Sequence, residues 1–453
     1  MSQKKTGGVS RRAFVAGSAS TAFAINYFPG KLFGAEAPSN RLNIAGIGVG
    51  GQGGGNVRIC SGSENIVALC DVDDVYAAHT FKRHPKAAVY KDYRVMLEKQ
   101  KDIDAVVIGT PDHTHAVITL ASMQLGKHVY CQKPLTHTVH EARVLTAAAG
   151  KYKVQTQMGN QGHSWEPIRL LKEWIQSGEV GDVTEIHAWS DRPIGIPSYA
   201  NFAVREMPKG DEKVPSTLDW DLWLGPAAMR AYSAAYTPFK WRGFLDFGTG
   251  ALGDMGCHIL DPSFYALDLG NPVTVQAEVE HVKPELSPHV FPISSKVIYN
   301  FPARGKMPPV KLTWFDGHFK VPRPPMLEPD RQLPESGAII YGSKETLMHD
   351  SHGASGLRVI PEPRMQSFKR PAKTLERVKG KHEEDWIRAC KDGKSACSPF
   401  EYGGPLTEMV LLGVIAMRVP NEKLEWSSEK MQFTNSAKAN EYVKATYRQG
   451  WSL

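Results

Sequence analysis

Short, unbroken apolar runs recur along the first third of the chain, separated by segments with helical spacing. They fall at residues 42–47, 66–70, 105–108 and 128–131, with a weaker fifth at 154–157. A strand that is apolar at every position is buried on both faces, as in a parallel sheet covered by helices. Residues 116–125 and 140–149 have the pattern of such covering helices. This alternation predicts a doubly wound parallel sheet, an α/β domain over residues 38–160.

Beyond residue 160 the period changes. Trp165, Ile168, Leu171, Trp174 and Ile175 share one face at helical spacing, which predicts a helix over 164–176 with Ser164 as N-cap and Gly178 past its end. Residues 182–190 alternate as a half-buried strand does. Residues 192–245 are irregular and rich in proline and tryptophan, and a connection that long is expected to cover or to function. Strand-like segments at 273–280, 295–301 and 310–314 predict a second, open and mostly antiparallel sheet within an α/β domain over 161–453. Five prolines make 321–334 a loop, 382–418 reads as mostly helical, and Trp451 is expected to pack back.

Ahead of the first strand stands Ser10-Arg11-Arg12-Ala13-Phe14-Val15, then a weakly apolar stretch to Phe28 interrupted by Ser18, Ser20, Thr21 and Asn26. The stretch falls short of the ~18 apolar residues of a membrane span. It fits a twin-arginine signal peptide over 1–37, with Ala35-Glu36-Ala37 as the cleavage site. The expectation is a protein handed to the twin-arginine export machinery and sent to the periplasm or otherwise exported. An enzyme working there must carry its cofactor tightly bound.

The 453 residues, 42% hydrophobic and 22% charged, suit a soluble protein of about two domains. Five leader cations against Glu36 account for +4 of the net charge of +7, leaving +3. With no basic run elsewhere, nucleic-acid binding is not suggested. Of six cysteines, Cys70 and Cys131 lie in apolar runs and read as core. Cys390 and Cys397 bracket a turn and either pair or stay free. No cysteine–histidine cluster has zinc spacing, so no metal is expected.

Gly48, Gly50 and Gly53, with Gly51 between, follow the first strand and open onto a helix. Glycines there allow a tight turn and close backbone approach to a pyrophosphate, whose charge the helix N-terminus stabilises. Asp71, 18 residues beyond Gly53, ends the next strand and can accept hydrogen bonds from ribose hydroxyls. Val72, Asp73 and Asp74 follow it without an arginine for a 2′-phosphate, so NAD is preferred to NADP. The fourth strand ends in Thr110-Pro111-Asp112-His113-Thr114-His115 and the fifth in Gln132-Lys133-Pro134. Carboxyl ends of parallel strands are where open sheets place ligands, so Thr110, Pro111, His113, His115, Gln132 and Lys133 are candidate cofactor residues. A lysine beside a cationic nicotinamide has a lowered pKa and can orient a hydroxyl or relay its proton.

Asp254 and His258 stand at i and i+4, on one face of any helix there. A carboxylate beside an imidazole fixes its tautomer and raises its basicity; a capping aspartate with a core histidine is equally compatible with the spacing. Asn160, Gln161 and His163 follow the last Rossmann strand and are candidates for the substrate end. Trp189, Arg192, Trp241 and Arg242 are candidates to stack on and hydrogen-bond a sugar, the alternative being core tryptophans. Trp220 and Trp223 read as packing residues.

These segments, in this order, resemble the Gfo/Idh/MocA family, the group of glucose–fructose oxidoreductase and inositol dehydrogenase. The resemblance implies a Rossmann domain followed by an α/β domain whose open sheet makes oligomer contacts, hence a homo-oligomer. It implies that Lys133 orients the reacting hydroxyl and that His258, supported by Asp254, acts as acid or base. One departure stands out: the family's Glu-Lys-Pro is here Gln132-Lys133-Pro134, which removes a charge partner for Lys133. A tight turn beside a ligand favours a cis peptide before Pro134. The leading expectation is an exported NAD-dependent oxidoreductase acting on a sugar or sugar derivative. Two alternatives stay open: a redox-neutral glycosidase working through a 3-keto intermediate, and a non-catalytic sugar-binding protein.

Overall fold

The computed structural model describes residues 40–195 and 201–453. The twin-arginine segment and its cleavage site, within residues 1–39, lie outside the described residues, as do residues 196–200.

Six strands form the first sheet: β1 (Asn43–Ile47), β2 (Asn65–Cys70), β3 (Ala88–Tyr90), β4 (Ala105–Ile108), β5 (His128–Cys131) and β6 (Thr156–Met158). All pair in parallel, in the order β3-β2-β1-β4-β5-β6. The two-sided burial read from the apolar runs is observed: Ile44, Ala45 and Ile47 of β1 and all four residues of β4 are buried. β3 escaped the sequence reading because Ala-Val-Tyr at a sheet edge is short and partly exposed. Helix α1 (Gln52–Cys60) leaves the glycine turn, and α2 (Val139–Tyr152) is started by a capping box in which Thr138 and Glu141 exchange side-chain-to-backbone hydrogen bonds.

Helix α3 (Glu166–Gln176) starts two residues later than the pattern predicts. Ser164 is not its N-cap: its hydroxyl pairs with the His382 ring instead, and residues Gln161–Ser164 form a 3₁₀ turn. Trp165, expected on the buried face, therefore precedes the helix and is 44% exposed.

The second sheet contains β7 (Val183–Ser190), β8 (Thr274–Glu280), β9 (Ser294–Phe301), β10 (Val310–Asp316), β11 (Gly337–Gly342), β12 (Thr346–Asp350), β13 (Arg358–Ile360), β14 (Leu424–Ser427) and β15 (Gln432–Phe433). Its order is β13-β12-β11-β7-β10-β9-β8-β14-β15, and only β7–β10 is parallel. One face packs on the core through Ile186, Ala188, Val297, Tyr299, Leu312 and Trp314. The proline-rich loop folds over one end of the other face, where Leu327, Phe319 and Leu333 meet Trp189, Phe315 and Ile339.

Three further helices join the halves. Helix α4 (Gly250–Ile259) is buried at every position. Helix α5 (His382–Asp392) returns to the first sheet, where Trp386 and Ile387 complete the core around Ile44, Val57 and Leu69. Helix α6 (Phe400–Arg418), apolar almost all round, is wedged against α2, α4, β8 and β9.

Candidate active site in the interdomain cleft

A cleft of about 500 Å³ opens along the carboxyl edge of the first sheet and is closed on its far side by the long 201–245 loop. At one end lies the glycine turn. A Cβ on Gly53 would sit 2.0 Å from the Gly48 carbonyl oxygen, so α1 can start that close to its own turn only without a side chain. Gly48, Gly50 and Gly51 line the cleft, whereas Gly53 supports them from behind. Asp71 lines it too: its carboxylate accepts from the amides of Val49 (2.7 Å), Gly50 (3.1 Å) and Asp73 (3.0 Å). Burial pushes the Asp71 carboxyl up to about 6 against the pull of those three donors. Tyr76, which no motif marked, packs its ring on Gly50 and Gly51 and forms part of the wall.

The fourth-strand motif divides. Thr110 and Pro111 line the cleft, and so does Asp112, which accepts from the Thr249 hydroxyl at 2.7 Å. His113 and His115 do not reach it, which corrects their placement as cofactor residues. The His113 nitrogens face the carbonyl oxygens of Phe247 (3.2 Å) and Trp223 (3.1 Å), and burial lowers its pKa to about 3. The His115 nitrogens face the carbonyls of Pro134 (2.8 Å) and Thr110 (2.9 Å). Both rings clamp the loops that shape the cleft; a buried carbonyl needs a donor, and an uncharged imidazole such as His113 has one N–H to give.

Gln132 and Lys133 line the cleft, and the Lys133–Pro134 peptide is cis. The Gln132 amide donates to Asn56 Oδ1 at 2.8 Å, and Asn56 Nδ2 donates to Glu383 Oε1 at 2.5 Å. A carboxylate thus stands at the end of this relay, supplied by α5, and burial raises its pKa. The charge partner of Lys133 lies elsewhere. Its Nζ donates to Asp254 Oδ1 (3.0 Å) and to the Asp254 carbonyl oxygen (2.9 Å).

Asp254 and His258 do share α4, but the carboxylate does not hydrogen-bond the imidazole. Arg242 Nε at 3.2 Å and Arg192 Nε at 3.4 Å join Lys133 around it. Burial raises the carboxyl, yet these three cations hold it well below the usual carboxylate range. Charge-assisted bonds from Lys133 and Arg242, with Arg192 as a third cation nearby, outcompete one to a neutral ring. His258 Nδ1 is buried without a hydrogen-bond partner among the described residues. Its ring instead meets that of His352, with centroids 4.0 Å apart and planes at 33°. Burial, then His352 and nearby cations, push His258 well below its ordinary pKa.

Of the candidate substrate residues, Gln161, Arg192, Trp241 and Arg242 line the cleft. The Arg242 guanidinium sits 4.2 Å from the Trp241 ring centroid and 4.3 Å from that of Phe239. Asn160 and His163 are corrected: they do not line the cleft but donate to the buried Asp261 carboxylate at 3.1 and 2.9 Å, together with the Tyr402 hydroxyl at 2.5 Å. That network fixes the turn carrying Gln161. Trp189 is likewise corrected. It lies on the outer face of the second sheet, donates to the Pro334 carbonyl at 2.9 Å and lines a separate surface groove. Trp223 does more than pack, for it lines the cleft while stacked on Trp220 at 4.8 Å. Trp451 packs back as expected and reaches the cleft wall beside Tyr93. Cys390 and Cys397 are free thiols. No group of His, Cys, Asp or Glu able to hold a metal occurs among the described residues.

Residues 41–160 match the profile described as "Oxidoreductase family, NAD-binding Rossmann fold", and residues 197–301 match "Oxidoreductase family, C-terminal alpha/beta domain". The chain is 29% identical over 159 residues to inositol 2-dehydrogenase of Salmonella paratyphi B, covering 34% of this chain and 47% of that relative. It is 23% identical over 203 residues to levoglucosan dehydrogenase of Pseudarthrobacter phenanthrenivorans, covering 44% of this chain and 41% of that one. The matched stretches thus span about half the length of these relatives or less. The fold is similar to that of an inositol dehydrogenase homologue from Azotobacter vinelandii solved with NADH and myo-inositol. The TM-score is 0.53 at 16% identity, over 85% of this chain and 98% of that one.

Proposed function

The chain belongs to the Gfo/Idh/MocA oxidoreductase family by both of its domains, and from that premise we propose that it oxidises or reduces a CH–OH group of a sugar or sugar derivative with a tightly held nicotinamide dinucleotide. The observation that carries this reading is the placement of Lys133. It ends a parallel strand on the cofactor side of the cleft, and its ammonium is fixed by Asp254 on the opposite helix.

The residues present fit a dinucleotide. The glycine turn brings Gly48, Gly50 and Gly51 to the cleft as bare backbone, and α1 presents its N-terminus there. The Asp71 carboxylate at the end of β2 suits ribose hydroxyls and repels a 2′-phosphate, which supports NAD over NADP. When bound, the nicotinamide supplies a hydride acceptor. The protein's own groups do the rest. Lys133, held by Asp254, donates to the substrate oxygen and sets its direction. His258, uncharged at neutral pH because it is buried, accepts the hydroxyl proton. Arg242, Arg192 and Gln161 offer donors to neighbouring hydroxyls, and Trp241 offers an aromatic face. Similarity to an inositol 2-dehydrogenase and a levoglucosan dehydrogenase favours a polyol or sugar substrate.

Export through the twin-arginine route to the periplasm rests on Arg11 and Arg12 and the small-residue stretch behind them. Retention of the cofactor draws support from the far wall. Leu218 bridges to Asp73, Asp74 N donates to the Thr217 carbonyl at 3.0 Å, and Asp219 N donates to the Val72 carbonyl at 2.9 Å. The segment thereby straps across the Asp71 end of the cleft, with Trp223 and Trp451 beside it. A cofactor that does not leave must be recycled in place. That favours either paired oxidation and reduction of two sugars, or the redox-neutral glycosidase, in which oxidation at C3 acidifies the neighbouring C–H and permits elimination. A purely sugar-binding role leaves Lys133, Asp254 and His258 without a purpose. A homo-oligomer formed through the open sheet completes the proposal.

Denaturing the purified protein and chromatographing the supernatant tests the reading. Stoichiometric NAD supports it; absence of any dinucleotide, together with no binding of added NAD, rejects it. Products then separate the two enzyme readings: a keto-sugar or lactone against a released aglycone.

A further inference from the structure

His352 belongs to no motif in the sequence, yet it stands in the cleft with its ring on His258. It opens the short 3₁₀ turn after β12. That turn is pinned by Gly353, whose φ is +54°, where the chain passes so close to Gly162 that a Cβ would lie 2.1 Å from the Gly162 carbonyl oxygen. Ser351 Oγ lies 2.7 Å from His352 Nδ1. On its outer side Trp165 follows at 6.3 Å between centroids and 30° between planes. Trp165, His352 and His258 therefore form a row of three rings running from the surface to the buried imidazole.

The charged and titratable groups around the two imidazoles are Lys133 at the end of β5, Arg192 beyond β7, Asp254 on α4 and His382 at the start of α5. The imidazoles thus sit among cations whose one carboxylate neighbour is already engaged by Lys133 and Arg242. No carboxylate hydrogen-bonds His258 or His352 among the described residues. The ring-on-ring contact is then what remains to orient His258.

Resting on the oxidoreductase reading above, we propose that His352 is the positioning residue for His258: its ring closes one face of His258 against water and fixes the direction in which the His258 edge meets a substrate hydroxyl. In the step this serves, the substrate O–H bond breaks and its proton passes to a His258 nitrogen. The acceptor for the hydride on the same carbon would be a nicotinamide held along the glycine turn and Asp71, and the carbonyl would remain. His352 exchanges no proton in that step. A buried, uncharged and singly oriented imidazole is the competent acceptor, and an imidazole open to water on one face is not held in one state.

The test uses the full chain labelled with ¹⁵N- and ¹³C-histidine, with His258→Gln to assign the resonance, and needs no substrate. In the wild type His258 stays in one neutral tautomer from pH 8 to 5. In His352→Asn, and in His352→Gln as a second ring-removing variant, water reaches the ring and the His258 midpoint rises by at least one pH unit. His352→Phe, which keeps the stacked face, leaves it where it was. With a turned-over sugar in hand, His352→Asn lowers kcat more than tenfold with KM within threefold, and the acid limb of the pH–rate profile moves with the resonance. An unchanged His258 tautomer and midpoint in both ring-removing variants overturns the proposal, whatever the activity. A shifted resonance in a protein that binds no dinucleotide leaves the pair standing and rejects the oxidoreductase reading instead.

Discussion

Lys133 donates to Asp254 twice, 3.0 Å to the side chain and 2.9 Å to the main chain. The second contact ties the ammonium to the backbone of α4, so its position does not depend on the carboxylate alone. The lysine thus bridges the two domains at the point where the proposed chemistry takes place.

Replacing Lys133 by methionine removes the proposed donor and leaves the arginines to hold Asp254. Turnover should fall by roughly 10²–10⁴-fold, with dinucleotide affinity within threefold. Steady-state kinetics beside a cofactor titration checks this, and retained turnover would place the chemistry elsewhere.

Asp254→Asn has a different signature. It leaves three cations around a neutral amide in a buried site, so stability should drop by about 3 kcal/mol. Thermal unfolding reads that loss, and Lys133→Met added on top should recover part of it.

Asp71 gives a pH dependence whose sign follows from its shift. Its folded value of about 6 lies above the ordinary 3.8. The folded state therefore binds this proton more readily, and the associated stability is present below about pH 4 and lost as pH rises through 6. Dinucleotide binding runs the other way, because ribose hydroxyls need the ionised acceptor. NAD affinity should weaken up to about tenfold per pH unit below 6, and Asp71→Asn should flatten the curve. Calorimetric titration from pH 8 to 5 decides it.

Gly53→Ala places a methyl group 2.0 Å from the Gly48 carbonyl oxygen. The turn must open, at a cost of about 1–3 kcal/mol. Dinucleotide binding should be lost while the second domain keeps its fold, as followed by cofactor titration and circular dichroism.

Trp451 lies over Arg94 at 4.7 Å and beside Tyr93 on the cleft wall. Trp451→Ala should leave the fold intact and speed cofactor loss about tenfold, a change of ~1.4 kcal/mol. Dinucleotide content after repeated gel filtration measures it, and equal retention would show that this wall does not hold the cofactor in.

The first sheet was legible because two-sided burial writes itself into the sequence as continuous apolar runs, and the glycine turn because its spacing is tied to a backbone contact. β3 was not, being three residues at an edge. β11 and β12 pair with each other across residues 343–345, but both are buried over most of their length and so lack the in–out alternation that marked β7; β11 also pairs with β7, which precedes it by about 150 residues. At the site, motif residues next to strand ends were recovered where they face the cleft, as Thr110 and Lys133 do. His113 and His115 show the limit of that logic, since alternate residues of one turn point to opposite sides. Asn160, His163 and Trp189 failed for a related reason: proximity in sequence does not say which way a side chain faces. His352 carried no local signal, for what places it is a backbone contact between Gly162 and Gly353.

The return of α5 onto the first sheet has a consequence for how the chain is made. Ile44 and Leu69 leave the ribosome more than 300 residues ahead of Trp386 and Ile387, which cover them. Contacts of such sequence separation are slow to form. The nascent first half must wait with an uncovered apolar flank, exposed to aggregation and open to a holding chaperone. A truncation ending before residue 382 would therefore remain in that waiting state, and the nucleotide fold of this protein is finished only once Trp386 and Ile387 have been made.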